Sequence, residues 1–321
     1  MIDFVSKRVL FFLISGIIIV PGLISLVLPG GLNPGIDFTS GSILTLRFQQ
    51  PVEQAALRQA FADLGHPEAI VQRSEDAYLV RTFPLAAEVR DAQGEVVQPS
   101  ERYAVEQALA QRFGGVEVLG FDSVSPLVAA EIVQKSILAV LAACVGILLY
   151  LWFAFRKVQS PWRYGTCAVF ALVHDALLLL GVFSLLGRFF HVELDALFIT
   201  AVLTVIGFSV HDTIVVFDRI RENLPRYPGE RFETVVNHSL TQTLGRSLST
   251  SITTLLVMVT LLLFGGVTIR SFVLALVIGI ISGTFSSIFN ASMLLVVWEN
   301  GELARLFGRR RAEPEAVSTA A

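Results

Sequence analysis

A polytopic α-helical membrane protein carrying one small α+β domain is the fold class this sequence predicts, and three observations predict it. The chain of 321 residues is 54% hydrophobic and only 16% charged, whereas soluble domains carry about 25% charge. Six stretches are apolar over a length able to cross a hydrocarbon core, which takes about 20 residues. Between the first and second of these, residues 29–133 hold 14 acids and 7 arginines and no lysine. That segment composes like an ordinary, mildly acidic soluble domain.

The six stretches are residues 9–28, 136–155, 162–186, 194–217, 247–266 and 272–297. Lys7 and Arg8 ahead of the first also suit a cleaved signal peptide. No small-x-small cleavage site follows cleanly, and Pro21 and Gly22 interrupt the run, so an uncleaved anchor is the expectation. Short loops set orientation. Lys7 and Arg8, then Arg156, Lys157 and Arg163, then Arg219, Arg221, Arg226 and Arg231, then Arg305, Arg309, Arg310 and Arg311 fall on one side. The alternate short loops hold only Arg188 and Arg270. Both termini are therefore expected in the cytoplasm, with the domain between the first two spans outside. The predicted organisation is a stub and first span (1–28), an extracytoplasmic domain (29–133), five further spans (134–300) and a cytoplasmic tail (301–321).

Within the outer segment, Leu44, Leu46 and Phe48 alternate as in a half-buried strand. Ala56, Leu57, Ala60, Phe61 and Leu64 recur at helical spacing. Residues 69–73 and 77–83 read as two short strands. A polar loop with Asp91, Gly94 and Pro99 follows. Ser100 is placed to cap a helix carrying Val105, Leu109 and Phe113, and residues 116–121 read as a last strand. The order β-α-β-β-α-β is ferredoxin-like, a fold that names no activity.

Two acids lie inside apolar spans, Asp175 in the third and Asp212 in the fourth. A charge near the bilayer centre costs about 2.5–3.5 kcal/mol on insertion scales, so such acids face the bundle interior and mark ion or proton pathways. Arg246 opens the fifth span and is followed by a run of hydroxyls, with Thr250 and Thr253 on its helical face. Asp212 and Arg246 both lie toward the cytoplasmic side, so a pair across the interface is one expectation. A packing staple is the other, since hydroxyls and Asp–Arg pairs also hold helices together. Gly279 and Gly283 form a GxxxG step, and with Ser287 and Asn290 a small-residue stripe. His174 precedes Asp175 and His211 precedes Asp212. Helical neighbours project about 100° apart, so neither pair is expected to form a dyad.

The absences narrow the chemistry. The sequence holds no GxxxxGK[ST], no HExxH and no Cys/His cluster. The paired aspartates lack the GxGD signature of an intramembrane protease. Cys144 and Cys167 sit in apolar runs and read as small buried residues. The net charge of −3 points to no nucleic-acid partner. Neither an enzyme nor a bound cofactor is expected, and an ion gradient is the expected energy source.

Several motifs resemble one family. Residues 34–41 (Pro-Gly-Ile-Asp-Phe-Thr-Ser-Gly) are similar to the GIDFTGG motif that follows the first span of the SecD/SecF family, a branch of the RND superfamily. Ser123–Pro126, the Val173-His174-Asp175 step, the block 208–222 around His211 and Asp212, and the block 246–254 from Arg246 also match. Ser40 departs from the family's glycine. The resemblance covers nearly the whole chain to Arg311. It implies an RND-type repeat that works with SecD to draw preproteins outward with the proton gradient. The SecYEG channel and SecA motor act first, and YajC and YidC, unfolded preproteins and membrane lipids are further partners. It implies that Asp212 is the membrane acid and that Arg246 and Thr250 are its proton-path partners. Asp175 and His211 belong to the same proton-coupling set, and Gly35, Asp37, Phe38 and Gly41 to a coupling or folding motif. An RND-type exporter half for small molecules or lipids, and a translocon scaffold without transport, remain open beside it.

Overall fold

The computed structural model describes residues 3–74, 76–90, 96–98, 100–156 and 160–302. Lys157, the tail beyond Glu302 with its arginines, and residues 91–95 and 99 of the polar loop lie outside the described residues. The chain divides into two compact units, Pro34–Leu138 and the remainder.

The first unit begins with a short helix, α2 (Ile36–Thr39), which follows the first long helix, α1 (Arg8–Val27). Then come β1 (Gly41–Phe48), α3 (Gln54–Asp63), β2 (Ile70–Ser74), β3 (Ala77–Thr82), a two-stranded ribbon β4 (Val89–Arg90) and β5 (Val96–Gln98), α4 (Glu101–Phe113) and β6 (Val116–Val124). The main sheet runs β2-β3-β1-β6, every neighbour antiparallel. That is the ferredoxin-like order expected from the alternation. The period-2 face of β1 puts Leu44 and Leu46 in the core with Leu57, Phe61, Val80, Val105 and Leu109. The ribbon β4–β5 was not visible as strands in the sequence. Ser100 does occupy the N-cap of α4, but its side chain makes no capping bond. Glu101 instead accepts the Ala86 N–H at 2.7 Å, so this carboxylate ties the helix start to the preceding loop.

The turn into β1 sets the cost of the Ser40 departure. Ser40 has φ 62° and ψ 163°, a region populated almost only by glycine. Gly41 follows with φ 141°, and a Cβ there would lie 2.8 Å from the Thr82 carbonyl oxygen. The strain at a non-glycine residue is about 1–3 kcal/mol. Glycine gives back about 0.5–1 kcal/mol through the freer unfolded chain. Ser40→Gly is therefore expected to stabilise this unit by about 1 kcal/mol, while Gly41→Ala weakens it. Thermal unfolding of the protein followed through this unit checks the pair, and a lowered midpoint for Ser40→Gly would refute the strain argument.

The second unit is helical. After α1 come α5 (Pro126–Ala154), whose residues from Ala139 on belong to this unit, α6 (Pro161–Phe190), α7 (Ala196–Asn223), α8 (Phe232–Phe264), α9 (Val267–Phe285), a π-helical turn (Ser286–Ala291) and α10 (Ser292–Glu299). Among the described residues six helical stretches are long and apolar enough to cross a membrane, with the last formed by α9, the π turn and α10. The helices outrun the apolar windows because hydropathy sees only their greasy parts. In α8 the polar start is still helical, since Val235, Val236, Ser239, Leu240, Thr243 and Ser247 recur on one buried face.

Close packing uses small residues where backbones meet. A Cβ on Gly22 would lie 2.7 Å from the Gly181 Cα, so α1 and α6 touch backbone to backbone. Ser25 and Ser184 hydrogen bond at 2.7 Å one turn away. The GxxxG step of α9 packs on α7, Gly279 against Val205 and Gly283 against Ser209. The seam is thus internal to this chain, not a face for a partner. Where no small residue is needed, aromatic rings fill the bundle, as Phe155 stacks on Tyr164 and both meet Phe217.

Candidate functional site

The two membrane acids have opposite surroundings. Asp175 on α6 is fully buried and saturated with donors. Its Oδ2 accepts from Ser209 at 2.7 Å and from Ser286 at 2.6 Å. Its Oδ1 accepts from Ser282 at 2.8 Å, and His174 Nδ1 lies 3.1 Å away. The donors come from α7, α9 and the π turn, so one carboxylate gathers three segments. The His174–Asp175 contact corrects the expectation from helical geometry. Side-chain torsions bring neighbouring groups together although their Cα–Cβ directions diverge.

The network continues from there. Asn290 Nδ2 lies 3.0 Å from His174 Nε2 and donates to Ser15 Oγ of α1 at 2.8 Å. Ser15 returns a bond to Asn290 Oδ1 at 3.1 Å. Ser287 donates to the Ser209 carbonyl at 2.7 Å and receives the Thr213 hydroxyl at 3.0 Å. The π turn thus reaches α1, α6 and α7 at once.

Asp212 on α7 is also buried, yet among the described residues its Oδ2 has no hydrogen-bond partner. Ser251 is the hydroxyl beside its carboxyl. Ser251 bonds Thr284 of α9 at 2.7 Å, and Ser247, one turn earlier on α8, is buried with its Oγ unpartnered. Among the described residues no ion pair joins Asp212 to Arg246. Arg246 is exposed and lines a cavity of about 300 Å³ with Val215, Asp218, Arg219, Glu222, Gln242 and Thr243. Beyond it, Asn223 holds α7 to α8 through Ser239 and Gln242 at 2.9 and 3.0 Å.

The expected residues are therefore sorted by the fold. Thr250 and Thr253 are exposed and Thr254 is half-buried, and their hydroxyls donate to carbonyls of their own helix, Thr250 to Arg246 at 3.1 Å. The buried hydroxyls of the run are Ser247 and Ser251, and Ser251 lies beside the Asp212 carboxyl. Their signal was the same run, but only the packed face of α8 selects between them and the threonines. His211 is exposed on α7, turned from its neighbour's buried position. Ser209, Ser282, Ser286, Ser287, Asn290 and Ser15 were missed as members of one network, because they are distant in sequence. In the other unit, Gly35 caps α2, Ile36 is buried, Asp37 and Phe38 are half-buried, and Gly41 starts β1. Arg81 braces this turn, donating to the Pro34 carbonyl at 3.0 Å and to Thr39 Oγ1 at 2.6 Å.

Comparison with known proteins bears on this arrangement. The family model described as protein export membrane protein SecD/SecF, C-terminal, matches residues 104–301, and that of the SecD/SecF GG motif matches residues 30–52. The turn at Ser40–Gly41 lies inside the second match. The protein translocase subunit SecF of Thermobaculum terrenum is 52% identical over 99% of this chain and 100% of its own length. That of Anaerolinea thermophila is 40% identical over the same shares. The crystal structure of SecDF, a translocon-associated membrane protein from Thermus thermophilus, superposes with TM-score 0.77 and 34% identity over 93% of this chain. A SecDF structure in super-membrane-facing form gives TM-score 0.62 and 31% identity over 96%. This chain spans 39% and 40% of those two longer chains. The membrane helices, the ferredoxin-like sheet, the motif turn and the full-length relatives agree: this multi-pass membrane protein belongs to the SecF branch of the SecD/SecF family of protein translocase subunits.

Proposed function

We propose that this chain uses the proton gradient to complete the outward movement of preproteins across a bacterial inner membrane, as the SecF-type half of a unit with a SecD-like partner. The supporting observation is Asp212, buried in a membrane helix with a carboxyl oxygen that has no hydrogen-bond partner among the described residues. An acid there is free to gain and lose a proton, whereas one whose lone pairs are all taken must break a bond to do so. The cavity that holds Arg246 begins at Val215, one turn along α7 from Asp212. Movement of the guanidinium out of that cavity toward Asp212 favours the charged carboxylate, and its retreat favours the acid. His211 and Thr250 complete the proton-handling set, and the gradient takes the place of a bound cofactor. Asp175 belongs to the same machinery as its organiser. Gly35, Asp37, Phe38 and Gly41 form the turn through which the first span enters the outer domain. No catalysis is assigned to the chain.

The partner assignment follows from the longer SecDF chains, in which this repeat accounts for 39% of the length. The SecYEG channel, SecA, YajC and YidC, unfolded preproteins and surrounding lipids are the further partners of this reading. The experiment is gradient-dependent export by the assembled complex, with and without Asp212→Asn.

Orientation is proposed from the arginine-rich loops, with both termini cytoplasmic and residues 29–133 outside. Tyr103 is exposed on α4. A membrane-impermeant maleimide is expected to label Tyr103→Cys from the outer side alone. Labelling confined to the cytoplasmic side would invert the topology.

A further inference from the structure

The polar side chains around the π turn link α7, on both sides of Asp212, to α1. Ser209 and Thr213 lie on α7 one turn before and one residue after Asp212. Ser287 is inserted between them, donating to the Ser209 carbonyl and receiving the Thr213 hydroxyl. Three residues on, Asn290 bonds Ser15 of α1 and meets His174, which in turn meets Asp175. The donors and acceptors are consistent throughout. A carboxylate can only accept, so His174 Nδ1 carries hydrogen and Nε2 is left to accept from Asn290. The two hydrogens of the Asn290 amide then serve His174 and Ser15.

The segment that carries these contacts is not regular α-helix. A π turn inside a longer helix holds one residue more than the α-helical path, and such turns recur at functional sites. Reversion to α-helix changes the register by one residue and rotates α10 by about 100°. Ser286, Ser287 and Asn290 cannot all keep their partners through that change. Such a reversion would be a second arrangement, and the bonds to Asp175, Ser209 and Ser15 hold the turn in the present one. The helix it holds at the far end, α1, is the segment that leads by sequence into the motif turn at residues 34–41.

Resting on the proton-driven reading, we propose that Ser287, Asn290, His174 and Ser15 are positioning residues that transmit the protonation state of Asp212 to α1 through the π turn. They do not carry the proton themselves. The path predicts uncoupling rather than inactivity when its far end is cut.

The test uses the complete complex in proteoliposomes, with proton flux and gradient-driven preprotein export measured in parallel. Ser15→Ala removes the α1 end of the path and touches neither acid. It is expected to keep assembly and flux at the wild-type level while export falls about tenfold, the size of one lost buried hydrogen bond. Ser15→Thr, which keeps the hydroxyl, is expected to restore export, and Asn290→Leu to repeat the uncoupled pattern. Wild-type export in both Ser15→Ala and Asn290→Leu would overturn the proposal. So would parallel loss of flux and export, because the residues would then serve the proton path or the fold. Asp212→Asn in the same assay separates the two ideas. If it leaves flux intact, the proton reading fails, whereas the Ser15 result is judged by export relative to flux.

Discussion

Asp212→Asn is expected to abolish gradient-dependent export while the complex still assembles. The substitution is nearly isosteric, replaces one carboxyl oxygen by an amide nitrogen and removes the ability to change charge. The Asp212 Oδ2 atom has no partner to lose, so folding is expected to change by less than about 1 kcal/mol. The functional loss is large because the coupling runs through that charge. A membrane potential acts on each proton with about 2.3 kcal/mol per 100 mV, a bias of more than tenfold on a conformational equilibrium. With Asn the bias is gone and export falls to the rate seen without a gradient. Arg246→Met is expected to do nearly the same, because the neutral side chain in the cavity no longer favours the carboxylate. Preprotein translocation into vesicles, driven by an imposed gradient, measures both. Export at the wild-type rate by an assembled Asp212→Asn complex would leave this chain as a scaffold.

The second large effect is on stability. Asp175→Ala leaves the hydroxyls of Ser209, Ser282 and Ser286 and the His174 ring without their common acceptor. A buried donor left unmade costs about 1–3 kcal/mol. Partial relief is at hand, since Ser286 also reaches the Gly283 carbonyl at 3.3 Å and Ser209 lies 3.2 Å from Ser287. The net loss is expected at about 3–5 kcal/mol, the range for removing one member of a buried charged network. Asp175→Asn keeps one acceptor oxygen and is expected to lose less than half of that. Thermal unfolding of the purified protein in detergent orders the variants. If Asp175→Ala unfolded at the wild-type temperature, the carboxylate would not be the organiser of this bundle.

The sequence already distinguished what depends on local composition and period. Six apolar stretches, the alternation through Leu44 and Leu46, and the helical spacing from Leu57 to Leu64 were legible because each pattern needs only one element to express it. The departure at Ser40 was legible as a question, and the backbone answered it with a positive φ. The ribbon β4–β5 was not legible, since two and three residues are too few to show a period.

By itself, then, the sequence determined the membrane class, the order of the outer domain, the two buried acids and the family motifs that surround them. Only the tertiary structure decided which acid is saturated and which is open. In sequence both are single aspartates in greasy helices with a histidine before them. The difference comes from what other helices present, a face of Ser209, Ser282 and Ser286 for Asp175 and the hydroxyl of Ser251 for Asp212. The same is true of the hydroxyl run after Arg246. Its composition favours a polar face, but helix packing turned Ser247 and Ser251 inward and left Thr250 outside. A hydrogen bond between residues 275 positions apart, as between Ser15 and Asn290, has no local signature. It exists because the π turn and the close contact of Gly22 with Gly181 bring three helices within reach.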